Sequence, residues 1–354
     1  MKILKTKTAI IFLISAMLGM IISGCGGNEK EKTDESTDKF SILVEYIETS
    51  GDFINSEEAP AAVGADEVMN NMEKNIHIID IRSAEDFSAG HIAGAVNVPF
   101  KDLVEYFESS IVPTTFENIY LFSSDGQAAF FASGILHLLG YSNVKPVRYG
   151  MCAWDKGFAE QYWLKHISSK FSDKITTEPS SMAPSGSYPN ITSDFENGYD
   201  ILRERAIQLL QQPYKDFVAE VDEVMKDPSK YYIVCYWKDE YYNAGHIPGA
   251  IHYVPKKSLG RTTQLSTLPV DKPILVYCNS GNHSSTVSAY LRILGYDAYS
   301  LYYGSNSFMY DVMTEKTGHT FTEEQIMNYP LEKQKTQNSE EPSEAKKTAP
   351  KGGC

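Results

Sequence analysis

A six-residue motif occurs twice in this 354-residue chain: Gly90-His91-Ile92-Ala93-Gly94-Ala95 returns as Gly245-His246-Ile247-Pro248-Gly249-Ala250. His91 and His246 stand 246 − 91 = 155 residues apart. The same spacing separates Gly126 from Gly281, and Leu139-Gly140-Tyr141 from Leu294-Gly295-Tyr296. Three matches at one spacing imply two copies of one folding unit. Each copy carries the same apolar runs. Residues 76–81 and 231–236 read as buried strands, as do 119–122 and 273–277. The second run in each copy leads through a short polar loop containing glycine into a stretch with the apolar spacing of a buried helix, 128–139 and 284–294. Strands alternating with helices predict an α/β fold in which each copy is a parallel sheet flanked by helices on both faces. In such sheets ligands sit beyond the carboxyl ends of the strands, which draws attention to the loop that opens at Cys278.

Charge and cysteine usage narrow the function classes. With 46 acidic against 32 basic side chains the formal charge is −14, which argues against nucleic acid as a partner, because affinity there comes from Lys and Arg meeting phosphates. Five cysteines without a CxxC pair exclude a disulfide scaffold or a zinc ribbon. No His/Cys/Asp cluster has metal-ligand spacing, so neither a metal nor a cofactor is expected.

The two ends differ from the body. Residues 1–24 read as a signal peptide: Lys2, Lys5 and Lys7 precede a 9–22 apolar stretch too short to span a bilayer comfortably. The sequence Ile22-Ser23-Gly24-Cys25 resembles a bacterial lipobox, which implies lipidation of Cys25 and residence in the cell envelope, outside the cytoplasm, with the membrane bound through the lipid alone. Residues 25–39 read as a polar tether, 168–193 as a Ser/Thr/Pro-containing linker between domains at 40–167 and 194–331, and 332–354 as a disordered tail ending in Cys354.

Within this frame the motifs resemble the rhodanese family. The first copy has Asp80-Ile81-Arg82, the GHIxGA element and a closing Gly150-Met151-Cys152-Ala153-Trp154. The second has GHIPGA and the loop Cys278-Asn279-Ser280-Gly281-Asn282-His283-Ser284, similar to the family's C-x-S-G-x-R-S loop with His283 at the arginine position. The resemblance implies a sulfurtransferase in which Cys278 accepts sulfane sulfur from a persulfide, polysulfide or thiosulfate donor, holds it as a persulfide, and passes it to a thiol acceptor. Asn279, Ser280, Gly281, Asn282, His283 and Ser284 are then the loop that cradles the anionic sulfur. The first copy has Ser123 in place of the cysteine and no base in its loop to activate a hydroxyl, so it is expected to be inactive.

Departures from the pattern matter. The Asp-x-Arg triplet becomes Cys235-Tyr236-Trp237 in the second copy, which also lacks the closing Trp. Phosphatase chemistry is disfavoured, because the position six residues after Cys278 is Ser284 and no guanidinium in the loop can fork around a phosphate. With no Arg or Lys in the loop, His283 is the sole candidate for a local cation, and an imidazole is mostly neutral at pH 7 unless its surroundings perturb it. A non-catalytic lipoprotein that uses the scaffold to bind a partner or a sulfur species is the alternative. His91 and His246 are expected to hold their turns, and Cys235 to face away from Cys278, since adjacent strand residues point to opposite faces.

Overall fold

The structure, a computed structural model, describes residues 38–318 and 320–333. The expected signal peptide, Cys25 and the tail with Cys354 lie outside the described residues. Among those described, no helix is long and apolar enough to cross a membrane.

The first copy builds a four-stranded sheet from β1 (Ile76–Asp80), β2 (Val96–Asn97), β3 (Asn118–Phe122) and β4 (Val144–Pro146), in the order β2-β1-β3-β4. The second builds five strands, β5 (Val218–Ala219), β6 (Tyr232–Cys235), β7 (Ile251–His252), β8 (Ile274–Tyr277) and β9 (Ala298–Leu301), in the order β5-β9-β8-β6-β7. Every pairing is parallel. The counterpart of β5 in the first copy is reduced to a single parallel bridge, Val63 to Val147. β3 and β8 occupy equivalent inner positions and are almost wholly buried, as continuous apolar strands covered on both faces must be.

Four longer helices matter for the site: α1 (Lys39–Thr49), α2 (Gln127–Leu138), α3 (Gly198–Leu210) and α4 (Asn282–Ile293). α4 begins two residues before the helix expected at 284–294. Gly281 adopts φ 79°, which turns the chain at once and lets the helix start at its next residue. Asn282 and His283 therefore belong to the first helical turn rather than to the loop.

The two copies share one apolar core, which runs from Leu121 and Phe131 through to Val276, Val287 and Tyr290. α2 and α4, the helices that follow the two key loops, pack directly on each other. A side chain added at Gly134 would come within 3.1 Å of the Thr286 methyl and 3.3 Å of its carbonyl oxygen, a tight approach that only a shift of Thr286 could accommodate. The Thr286 hydroxyl donates across it to the Phe130 carbonyl at 3.1 Å.

The segments that follow each copy cross over to the other. Residues after the first copy strap the second: Thr176 pairs with His246, and the Phe171 amide donates to the Phe308 carbonyl. Residues after the second strap the first: Glu332 pairs with His91, and Tyr329 donates to Trp154. The 168–193 segment is thus a packed strap over part of its length, and regular pairing reaches Glu332, within the stretch read from sequence as tail.

Candidate active site

Cys278 follows the last residue of β8 and is almost fully buried, at 3 % exposure. Its loop is held from behind by the closing turn of the same copy. The Ser305 amide donates to the Cys278 carbonyl at 2.9 Å, and Asn306 donates to the Asn279 carbonyl through both its amide (3.1 Å) and its side chain (2.6 Å). This approach is so close that a Cβ on Gly304, at φ 55°, would lie 2.4 Å from the Cys278 oxygen. The Cys278 thiol faces the Ser284 hydroxyl at 3.7 Å, and Ser284 in turn bonds Ser300 and the Gly281 carbonyl. Gly281 offers α4 no side-chain cap, so the first-turn N–H groups and the positive end of the helix dipole remain for an anionic group at the loop. Seven residues read from the sequence as the site, Cys278 to Ser284, thus fall in one strand–loop–helix junction. Ser280 and Gly281 line its turn, while Asn279, Asn282 and His283 line its cavities.

Cys278 opens onto a cleft of about 760 Å³ walled by Tyr236, Trp237 and Tyr241 and carrying Lys238, Lys256 and Lys257. Glu57, Asp239 and Glu240 temper these charges, and Lys256 reaches the Glu57 carboxylate at 3.3 Å. His283, the one candidate cation within the loop itself, stays uncharged. Burial, with the charge of Lys256 nearby, holds the imidazole down to about 3, so it is neutral at physiological pH. It packs edge-on against Tyr236, whose ring occupies the middle of the former Asp-x-Arg triplet. The cations come instead from loops remote in sequence from Cys278, which a reading of the loop alone could not find. Lys238 follows the triplet, and Lys256 follows β7.

Cys235, one residue before that triplet's Tyr, lies in the core with Leu275 and Trp237 and interacts with the Tyr277 hydroxyl. Burial pushes its thiol up. It forms no disulfide with Cys278. Cys152 is fully buried, with its thiol within donating distance of the Ser124 and Phe158 carbonyls, which share its one proton. His91 and His246 bond through Nδ1 to the carbonyls of Phe87 and Tyr242, holding their turns.

The corresponding loop of the first copy is filled by protein. The Ser123 hydroxyl, 4 % exposed, accepts from the Ala129 amide at 3.2 Å. Asp125 is buried, and its carboxylate accepts from the Gln127 amide (3.0 Å) and from the Tyr302 hydroxyl of the second copy (2.6 Å). Burial raises the Asp125 carboxyl, and those hydrogen bonds oppose the shift. Trp163 donates its indole N–H to the Asp125 carbonyl, closing the loop from a third side. The Asp80–Arg82 pair, at 2.6 Å, is a buried structural ion pair that also holds the Gly90 carbonyl of the GHIxGA turn.

Fold and site together define a tandem α/β protein with one thiol seated at a strand end above a helix N-terminus and a second, equivalent seat without a thiol. The family model for the rhodanese-like domain matches residues 64–156 and 218–310, and the chain belongs to that family, with one such domain in each half. Thiosulfate sulfurtransferase PspE of Escherichia coli (strain K12) is 30% identical over 69 residues, covering 20% of this chain and 65% of that relative, so the match spans less than two thirds of its length. Among solved structures, thiosulfate sulfurtransferase from Pseudomonas aeruginosa is 15% identical, covering 73% of this chain and 46% of that one with a TM-score of 0.28. A rhodanese-like domain from Anabaena sp. is 26% identical, covering 26% and 71%, with a TM-score of 0.25.

Proposed function

We propose that this protein is a lipid-anchored, extracytoplasmic sulfurtransferase that carries sulfane sulfur on Cys278, with the first domain acting as an inactive partner. The observation that carries the reading is the seat of Cys278: a lone thiol at the end of β8, above an uncapped helix N-terminus, at the base of a cleft with three lysines. The family and the thiosulfate sulfurtransferase relative support sulfur transfer as the chemistry. The Cys278 thiolate attacks the sulfane sulfur of a persulfide, polysulfide or thiosulfate. The donor's S–S bond breaks with its electron pair leaving on a thiolate, polysulfide or sulfite, and Cys278 becomes a persulfide. An acceptor thiolate then attacks the terminal sulfur, and Cys278 leaves as the thiolate. No external oxidant or reductant is consumed. Backbone dipoles and lysines stabilise the anionic sulfur in both states.

Intact-mass measurement after incubation with each donor tests the reading: the wild type gains the mass of one sulfur atom, and Cys278→Ser gains none. If Cys278→Ser takes up sulfur as readily, Cys278 is not the carrier. If the wild type takes up none from any donor, the non-catalytic alternative is the better account. The anchor is proposed from Ile22-Ser23-Gly24-Cys25 alone, and labelling with a fatty-acid analogue tests it, since Cys25→Ala must lose the label.

A further inference from the structure

The two domains are related residue by residue around their loops, and the relation breaks at one place. Tyr149-Gly150 and Tyr303-Gly304 are equivalent, with positive φ of 62° and 53° in one and 59° and 55° in the other. Each glycine abuts the loop of its own copy, at Ser123 and Gly126 or at Cys278 and Gly281. Arg148 is therefore the counterpart of Tyr302, Asp125 of Ser280, and Gln127 of Asn282. In the first loop the mirror positions are closed. Tyr302 crosses the seam to the Asp125 carboxylate, and the Gln127 side chain crosses it to accept from the Tyr303 amide at 2.9 Å.

At the second loop neither contact is made. Ser280 offers no carboxylate to the first domain. Asn282, one methylene shorter than Gln127, is 4 % exposed with its Oδ1 unpartnered, and the neighbouring His283 Nε2 is likewise buried and unpartnered. In place of those contacts lies a cavity of about 620 Å³ that shares Lys238, Asn279 and His283 with the Cys278 cleft. It is lined by Arg148 and Lys238 and, among the described residues, by no carboxylate, in a chain whose formal charge is −14. Arg148 is exposed and forms no ion pair among the described residues; its guanidinium bonds only the Ala62 carbonyl, at 3.3 Å. The backbone fixes its position, since its amide donates to Val63 at 2.9 Å.

We propose that Arg148 of the first domain, with Lys238, forms a subsite for the carboxylate of a small thiol that exchanges sulfur with Cys278. The inference rests on the sulfur-transfer reading. Asp125 displays the chemistry in advance: where the protein supplies the carboxylate, the seam is shut, and where it supplies Ser280, the place is left for a ligand. Arginine suits the task because its planar fork meets a carboxylate with two parallel hydrogen bonds. The first domain, without a nucleophile, thereby contributes specificity to the second. In the transfer, the thiolate of the docked molecule attacks the terminal sulfur of the Cys278 persulfide. The new S–S bond forms as the old one breaks, and the electron pair returns to Cys278.

The experiment compares two acceptors on the full chain, 3-mercaptopropionate and the uncharged 2-mercaptoethanol. The ratio of their kcat/KM values is expected to fall about tenfold in Arg148→Ala, to recover in part in Arg148→Lys, and to fall in Ser280→Asp, which places a carboxylate in the mirror position. An unchanged ratio in Arg148→Ala overturns the subsite while leaving sulfur transfer intact. If the wild type transfers sulfur to neither thiol, the functional reading has failed. The subsite is then judged by the rates at which iodoacetate and iodoacetamide alkylate Cys278. Their ratio must drop in Arg148→Ala, and an equal ratio in both proteins refutes it.

Discussion

His137 and His283 are both held neutral by burial, the first at about 4 and the second at about 3. His137 stacks on Phe53 and bonds the Val144 carbonyl through Nε2 at 2.8 Å. Its folded pKa lies below the value near 6.5 of the unfolded chain, so the unfolded state binds more protons between those limits. Stability is complete above pH 6.5 and is lost as pH falls toward about 4. At pH 5 the cost from His137 alone is about 2 kcal/mol, at 1.36 kcal/mol per unit. Urea unfolding at pH 7 and pH 5 checks this: His137→Gln, which retains a donor toward Val144, should lose less stability between the two pH values than the wild type. The same neutral state removes His283 as a candidate cation. The seat of Cys278 and the glycine of its turn were legible because they are contiguous in sequence, Cys278 to Ser284. The charges around them were not, because Arg148, Lys238 and Lys256 come from three separate loops that only the tertiary fold brings together.

At the scale of elements, the strand–loop–helix order of each copy was readable because β3 and β8 are unbroken apolar runs and the next glycine sets the turn. The crossed straps were not readable. Their contacts are mostly backbone to backbone, such as Ser168 to Asn306 and Tyr329 to Trp154, and leave no apolar periodicity in the sequence. Asn306 joins a strap to the Cys278 loop. Its side-chain amide donates to the Asn279 carbonyl, its side-chain oxygen accepts from the Phe321 amide at 3.0 Å, and its carbonyl accepts from Ser168. Asn306→Ala leaves the Phe321 N–H without that acceptor and removes one donor to the Asn279 carbonyl. The expected cost is about 2 kcal/mol. Hydrogen exchange should quicken at Phe321 and along residues 278–281, and sulfur loading of Cys278 should slow. Unaltered exchange in both segments would show that the strap does not brace the loop.

For the whole molecule, the decisive surface is the contact between α2 and α4. It sets both loops at one seam, where the first is closed by Tyr302 and the second is left open beside Arg148. Each domain keeps a smaller apolar cluster of its own, but the main core continues across this contact and draws on residues of both copies. Unfolding in the scanning calorimeter is therefore expected as one cooperative transition rather than two. Gly134→Val tests the dependence at its tightest point. The branched side chain would meet the Thr286 backbone as well as its methyl, and a backbone neighbour cannot swing aside as a long side chain can. Overpacking of this kind costs about 1–3 kcal/mol. Because the strain falls on the crossing itself, the variant should lower the melting temperature and split or broaden the transition, with sulfur loading of Cys278 falling in parallel. A variant that melts as sharply and as late as the wild type would mean that the two domains do not depend on this crossing, and that the seam is set by the straps instead.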